Sequence, residues 1–132
     1  MKPSRHRPQT LTVTEVGHLV AVYRSLLDPE RTPLLREAPG SRGVHHLAVV
    51  RVHGRDQVRS ALAKAGVTTG IHYPTPVHRM RPYAAWTDRR LPVVEQAAGQ
   101  VLSLPLYPGM AEAQVERVAE VLDLVARRSA VA

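Results

Sequence analysis

The sequence contains no cysteine among its 132 residues. This absence excludes a disulfide-stabilised scaffold, a zinc site with thiolate ligands, an iron–sulfur cluster and a cysteine nucleophile. No apolar stretch approaches the roughly 20 residues that cross a bilayer, and the basic N-terminus is not followed by the apolar segment of a signal peptide. We therefore expect a cytoplasmic protein with no membrane partner.

Lysine is also scarce, because Lys2 and Lys64 are the only two and arginine supplies 16 of the 18 basic residues. With 11 acidic residues, the formal net charge is +7. Arginine suits phosphate and carboxylate recognition because its planar fork is bidentate, although codon usage that favours arginine, alanine and valine is the simpler explanation. The charges are scattered, and no helix carries a basic stripe with interleaved aromatic residues. We expect no nucleic-acid partner.

Apolar residues recur at regular spacing along most of the chain and make up 44% of it, which is enough for the core of one domain. Helical spacing and helix-ending residues predict four helices, over 13–27, between Gly54 and Gly66, over 92–102 and over 112–128. Composition predicts strands over 44–52 and 67–73, an extended segment over 103–109 and a short strand at 34–35. This order predicts an α+β fold, a small antiparallel sheet with helices on one face.

The densest cluster of polar and aromatic side chains lies in and just after the second predicted strand. Its members are His72, Tyr73, His78, Arg79, Arg81 and Tyr83. Prolines between the two histidines reduce the entropy that the chain loses on ordering, which suits a preformed binding rim. Histidine, tyrosine and arginine donate hydrogen bonds to phosphate or to sugar hydroxyls. The alternative is a rigid structural loop whose histidines bond backbone carbonyls.

Other kinds of chemistry find no support in the residues. The spacing of the histidines matches no known metal-site motif; the four considered are His45, His46, His72 and His78. No carboxylate lies within the cluster either, so we predict no metal site. The sequence has no G-x-S-x-G motif and no glycine-rich phosphate loop. Glu95 and the acidic residues of the last predicted helix fall at solvent-facing positions. No catalytic residue is predicted in this chain.

Four blocks of sequence, in order and at matching spacing, resemble the DegT/DnrJ/StrS family of pyridoxal-phosphate-dependent sugar aminotransferases. The blocks are V-H-H-L-A-V-V-R at 44–51, G-V-x-T-G-I-H-Y-P-x-P-x-H at 66–78, L-P-x-x-E at 91–95 with L-S-L-P-L-Y-P-G-M at 102–110, and Q-V-x-x-V at 114–118. The resemblance covers about residues 15–128. It identifies the chain as similar to the C-terminal small domain of the family.

The resemblance implies the aspartate-aminotransferase-like architecture, called fold type I, in which a large domain binds the cofactor and a small domain packs against it. It identifies residues 12–28 as a remnant of the inter-domain helix and 29–132 as the small domain. Residues 1–11, which are polar, basic and proline-containing, are predicted from their composition to be a disordered lead. Pyridoxal phosphate is implied for the full-length family. Neither Lys2 nor Lys64 resembles the lysine that binds it, so we expect no cofactor in this chain alone.

The resemblance also places the clustered loop near the mouth of the family's active site, where a nucleotide sugar enters. It implies substrate contacts for the histidines and tyrosines of the loop, namely His72, Tyr73, His78 and Tyr83. The charge of Arg79 and Arg81 suits the anionic diphosphate of such a substrate. An alternative for Tyr83 and Trp86 is that they pack the loop against the domain.

Three functions remain open on the sequence. The chain is a truncated domain of a sugar aminotransferase that is inactive alone, or half of a split enzyme completed by a separate large-domain chain, or a non-catalytic module that binds nucleotide sugars. An isolated small domain exposes the apolar surface that its partner normally covers. We therefore expect self-association of the lone chain through that face.

Overall fold

A computed structural model describes residues 13–83, 85–86 and 88–129 of the chain. The predicted disordered lead over 1–11 lies outside these residues. The described residues form four α-helices, two short 3-10 helices and one sheet. In chain order the elements are α1 (Val13–Leu26), β1 (Ala48–Arg51), α2 (Arg55–Lys64), 3-10 helices at Val77–Arg79 and Arg81–Tyr83, α3 (Pro92–Gln100), β2 (Val101–Leu104) and α4 (Glu112–Ser129).

The four α-helices lie where apolar spacing predicted them. Helix α2 is followed by Gly66 at a φ of 81°, the left-handed conformation with which many helices end. Helix α3 begins at Pro92. Proline is favourable at this position because the N–H groups of a first turn have no acceptor within the helix, so its lack of an N–H costs no hydrogen bond. It ends at Gln100, two residues earlier than predicted, and β2 follows without a connecting residue.

The sheet consists of β1 and β2, which pair antiparallel with Ala48 opposite Leu104 and Val50 opposite Leu102. Strand β1 is shorter than the predicted strand over 44–52. The physical reason is His45, whose φ of 49° turns the backbone out of the extended conformation before the strand begins. An isolated bridge between Leu34 and Val50 continues the sheet beyond β1, at the short strand predicted for 34–35.

The predicted strand over 67–73 is wrong in extent. Within this stretch, all of which the structure describes, Gly70 forms an isolated bridge with Ser103 and no regular strand develops. Two features stop the pairing. Val67 donates its N–H to the carbonyl of Leu62 in α2 at 2.9 Å instead of to a strand, and the His72 ring folds back over Gly70.

The core lies between one face of the sheet and helices α1, α2 and α4. Alternate residues of β1 and the position after it face this core: Ala48, Val50 and Val52 are all nearly or fully buried. They join one apolar cluster with side chains of the three helices, including Tyr23, Leu62 and Leu122. The predicted α+β architecture, a small antiparallel sheet with helices, is confirmed. Among the described residues, no helix has the combined length and apolarity that a membrane span requires.

Candidate functional site

Residues 70–83, here called the rim loop, contain all six of the predicted site residues. The loop begins at the free edge of β2, where Gly70 and Ser103 exchange two backbone hydrogen bonds of 3.0 and 2.8 Å. The His72 ring then turns back to the strand, and its Nδ1 lies 2.8 Å from the Ser103 hydroxyl. A Cβ at position 70 would meet Cε1 of His72 at 2.8 Å, so only glycine leaves room for this ring. Gly70 therefore allows His72 to bond to the sheet.

Tyr73 lies next to this histidine but points away from the domain. Its side chain is 71% exposed. The two rings meet edge to face, with centroids 5.5 Å apart and planes at 80°, which is a favourable aromatic geometry. The peptide bond between His72 and Tyr73 is cis. The phenol of Tyr73 therefore lies in solvent beside the His72 ring, whose Nδ1 contacts Ser103 on β2.

His78 and Arg79, on the first 3-10 helix, both contact helix α3 instead, His78 from a buried position and Arg79 from an exposed one. The His78 side chain is 8% exposed, and its Nε2 lies 3.1 Å from Oε1 of Glu95. Arg79 donates to the same oxygen from Nε at 3.2 Å and from Nη2 at 2.8 Å. The backbone N–H of Leu91 donates to it as well, at 3.1 Å. Two predicted substrate contacts are therefore committed to a carboxylate of the chain itself.

The electrostatics of Glu95 reflect this convergence of donors. Its pKa is lowered from 4.5 to about 2, first by the hydrogen bond from His78, then by the N–H of Leu91 and by Arg79. Hydrogen bonds to a carboxylate favour its charged form, so Glu95 stays ionised at neutral pH. The sequence placed Glu95 at a solvent-facing position, which is wrong: it lies on α3 and is half-buried against the rim loop. The L-P-x-x-E block was the signal that could have found it.

Arg81, Tyr83 and Trp86 lie farther along and are exposed. The exposed fraction is 48% for Tyr83 and 84% for Trp86. Turn hydrogen bonds order the backbone here, from the N–H of Tyr83 to the carbonyl of Met80 and from that of Trp86 to the carbonyl of Tyr83. The alternative that these two rings pack the loop against the domain is therefore wrong for both side chains.

The described histidines that the sequence singled out contact different partners. His45 pairs with Glu37 at 2.8 Å, whereas His72 and His78 contact different partners on β2 and α3. Within the described part of the chain, no three histidine or carboxylate side chains converge on a point that could hold a metal ion.

A hollow of about 720 Å³ lies away from the rim loop. Its walls come from the end of α2, the turn after β2 and helix α4, with Val67, Tyr107 and Arg117 among the lining residues. No residue of the rim loop lines it. The outward side chains of the loop therefore belong to a separate surface.

Comparison with known proteins gives a family match over most of the chain. The model of the DegT/DnrJ/EryC1/StrS aminotransferase family matches residues 13–123. A dTDP-3-amino-3,6-dideoxy-alpha-D-galactopyranose transaminase from Aneurinibacillus thermoaerophilus is 41% identical over 80 residues, which are 61% of this chain and 22% of the relative. A dTDP-3-amino-3,4,6-trideoxy-alpha-D-glucose transaminase from Streptomyces venezuelae is 42% identical over 93 residues, 69% of this chain and 24% of the relative. The matched segments of the chain thus cover about a quarter of the length of these relatives.

Solved structures give the same result for the fold. S. venezuelae DesV in complex with a ketimine intermediate matches with a TM-score of 0.80 and 37% identity, covering 88% of this chain and 32% of that one. DesI in the presence of its TDP-sugar product matches with a TM-score of 0.78 and 25% identity, covering 90% and 32%. These neighbours confirm the predicted fold, that of the pyridoxal-phosphate sugar aminotransferases.

Proposed function

The chain belongs to the DegT/DnrJ/EryC1/StrS aminotransferase family, and on that premise we propose that it forms the small C-terminal domain of a nucleotide-sugar aminotransferase. The observation that carries the proposal is the family match over residues 13–123, together with relatives of which the match covers only 22% and 24%. Two of these relatives are named as transaminases of dTDP-linked amino sugars. A nucleotide sugar is accordingly the substrate class that we assign.

Within this domain, we assign substrate contact to four exposed side chains of the rim loop. His72, Tyr73, Arg81 and Tyr83 are exposed and carry hydrogen-bonding groups. A nucleotide sugar offers ring hydroxyls and a diphosphate. Tyrosine and histidine suit the hydroxyls, and the arginine fork suits the diphosphate. The rim loop would then form one wall of a site whose other walls come from the large domain.

Pyridoxal phosphate does not fit the residues described here. The family's cofactor is held by a lysine amine, and a reactive lysine of this kind is desolvated or lies beside another cation. Lys64 is exposed in the last turn of α2, and Lys2 lies outside the described residues. We infer that the lysine and the cofactor belong to the large domain and that these 132 residues do not catalyse transamination alone.

A chimera tests the proposal. Residues 13–123 replace the corresponding segment of the S. venezuelae transaminase, which is 42% identical to this chain. If this chain is a small domain of the same family, its core and sheet edge provide the surfaces that the host's large domain requires. We expect a chimera that folds, takes up pyridoxal phosphate and aminates the host's own sugar substrate.

Two further variants make the outcome specific. In the chimera, Tyr73→Ala and Arg81→Ala should raise the KM for the nucleotide sugar, whereas Glu120→Gln, on the exposed face of α4, should leave it unchanged. A chimera that folds and binds the cofactor but has no activity contradicts the proposal. Unchanged KM values in both loop variants contradict the assignment of the contacts.

A further inference from the structure

We propose that Glu95 is a positioning residue that holds His78 and Arg79 so that the rim loop keeps one shape. His78 and Arg79 then do not contact the substrate. Contact is left to four other exposed side chains, those of Tyr73, Arg81, Tyr83 and His72, of which His72 also contacts Ser103. The identity of the ligand rests on the proposed function, whereas the role of Glu95 in holding the loop does not.

The first support is the number of donors on one atom. Oε1 of Glu95 lies within 3.2 Å of Nε2 of His78 and of both Nε and Nη2 of Arg79, and the N–H of Leu91 donates to it at 3.1 Å. Hydrogen bonds to a charged group are stronger than neutral ones. A single carboxylate therefore ties the first 3-10 helix of the loop to the start of α3.

The second support is the burial of His78. Its side chain is 8% exposed, and its Nε2 already faces Glu95. A ligand approaching from solvent reaches the exposed ring of Tyr73 but not this imidazole. A histidine placed in this way shapes the backbone around it instead of contacting a ligand.

The third support is that Glu95 belongs to helix α3, which hydrogen bonds hold to its neighbours. At the far end of α3, Val52 donates its N–H to the carbonyl of Gln100 at 3.0 Å. Arg51 of β1 donates to the side chain of Gln100 at 2.6 Å, and Arg55 of α2 donates to the carbonyl of Ala98 at 2.9 Å. Helix α3 is thus fixed to β1 and α2. Because β2 follows α3 directly, any group held by Glu95 is held relative to the sheet.

The rim loop has a second attachment on the same continuous segment. His72 contacts the hydroxyl of Ser103 on β2 at 2.8 Å, and the Gly70–Ser103 bridge lies beside it. The loop is consequently fastened at its start to Ser103 and at its middle to Glu95. Pro74 and Pro76, which lie between the two attachments, further restrict the chain. Such preorganisation lowers the entropy lost when a ligand binds.

Limited trypsin digestion of the 132-residue chain tests the proposal. Trypsin cleaves after Arg79, whereas Pro82 disfavours cleavage after Arg81. In Glu95→Gln, the loss of the charge-assisted bonds should raise cleavage after Arg79 about tenfold, because proteolysis follows the population of the open loop. Cleavage after Arg42, in a different exposed segment, provides an internal reference and should stay constant.

The matched control is Glu120→Gln, which removes the same charge from helix α4. Glu120 pairs with Arg117 on the same helix, and both side chains are 62% exposed. This variant should leave cleavage after Arg79 unchanged. If Glu95→Gln does not increase cleavage after Arg79, the proposal is wrong. It is also wrong if cleavage after Arg79 and Arg42 rises equally, since that pattern indicates loosening of the whole domain.

A measurement on the unmodified chain does not depend on any variant folding. The Nε2–H of His78, bonded to a carboxylate and shielded from solvent, should give a slowly exchanging imidazole proton in NMR spectra, with a cross-peak to the side chain of Glu95. An unmodified chain without that proton overturns the proposal. Neither measurement uses a substrate or a large domain, so an inactive chimera would leave both results interpretable.

Discussion

Replacing Tyr23 by phenylalanine removes one oxygen atom from the core and tests how α1 is fastened to the sheet. The Tyr23 ring is fully buried, and its hydroxyl donates to the carbonyl of Pro105 at 2.8 Å. Pro105 directly follows β2, so this bond joins the first helix to the segment that leads into α4. Tyr23→Phe keeps the packing of the ring and removes only the bond.

The size of the effect follows from the surroundings of the two partners. A typical hydrogen bond contributes about 1 kcal/mol net, and a buried acceptor left without a donor costs about 1–3 kcal/mol. Pro105 is half-buried, so solvent reaches part of it and the lower end of that range applies. We expect the free energy of unfolding to fall by about 1.5 kcal/mol, which lowers the Tm of a domain of this size by about 5 °C.

The same variant has a signature at alkaline pH. Burial, and to a lesser extent the nearby Tyr107, raises the pKa of Tyr23 above its ordinary value of 10.0. A raised pKa in the folded state means that the stabilisation by the neutral phenol is complete below pH 10 and is lost as the pH rises beyond it. The wild-type chain should therefore lose stability faster than Tyr23→Phe above pH 10, and the difference between them should narrow.

Urea and thermal denaturation followed by circular dichroism measure both effects. Tyr73→Phe is the matched control, because its ring is 71% exposed and the change should stay within about 0.5 kcal/mol. If Tyr23→Phe is as stable as the wild-type chain, or if the difference between them is constant above pH 10, the hydroxyl does not hold α1 in the way described.

Three further predictions concern the carboxylate, the lysine and the exposed apolar surface. Because the pKa of Glu95 is lowered to about 2, its contribution to stability is present above pH 4.5 and is lost as the pH falls toward 2. The free energy of unfolding in urea should therefore fall less steeply with decreasing pH in Glu95→Gln than in the wild-type chain between these values. Equal slopes for the two chains would refute this prediction. Incubation of the chain with pyridoxal phosphate and borohydride should give no stoichiometric adduct on Lys64 by intact mass, and such an adduct accompanied by transaminase activity would contradict our inference. We expect the chain to self-associate through exposed apolar side chains, among them Tyr73, Trp86 and Val93, which are 71%, 84% and 74% exposed. Sedimentation measures this, and a monomer at high concentration would contradict the prediction.

The helices were predictable because the signal for each lies within a few turns of its own sequence. In α1, Val16, Leu19, Val20 and Tyr23 fall on one face at helical spacing, and all four are buried. The strands were less predictable because pairing depends on distant residues. Composition alone predicted a strand over 44–52, but the turn at His45 and the position of β2 decide where the pairing begins.

The six candidate site residues fall in one loop because they are close together in the sequence, and their role as a binding site stays a prediction. Their orientation within the loop could not be predicted from the sequence. Which of them face solvent depends on a carboxylate 17 positions beyond His78 and on a hydroxyl 31 positions beyond His72. Helical periodicity placed Glu95 on a polar face, but it could not indicate that a loop folds over that face.

The pairing of Arg79 with Glu95 also changes which charge of the rim loop attracts an anion. Arg79 is 44% exposed, yet its guanidinium directs two donors to one carboxylate oxygen. That carboxylate offsets the charge of Arg79, so of the two arginines of the rim loop we expect the exposed Arg81 to attract an anion more strongly. Two arginines that look equivalent in the sequence are therefore unequal in the fold. Arg81→Ala should weaken attraction of an anionic substrate, whereas Arg79→Ala should act through the shape of the loop.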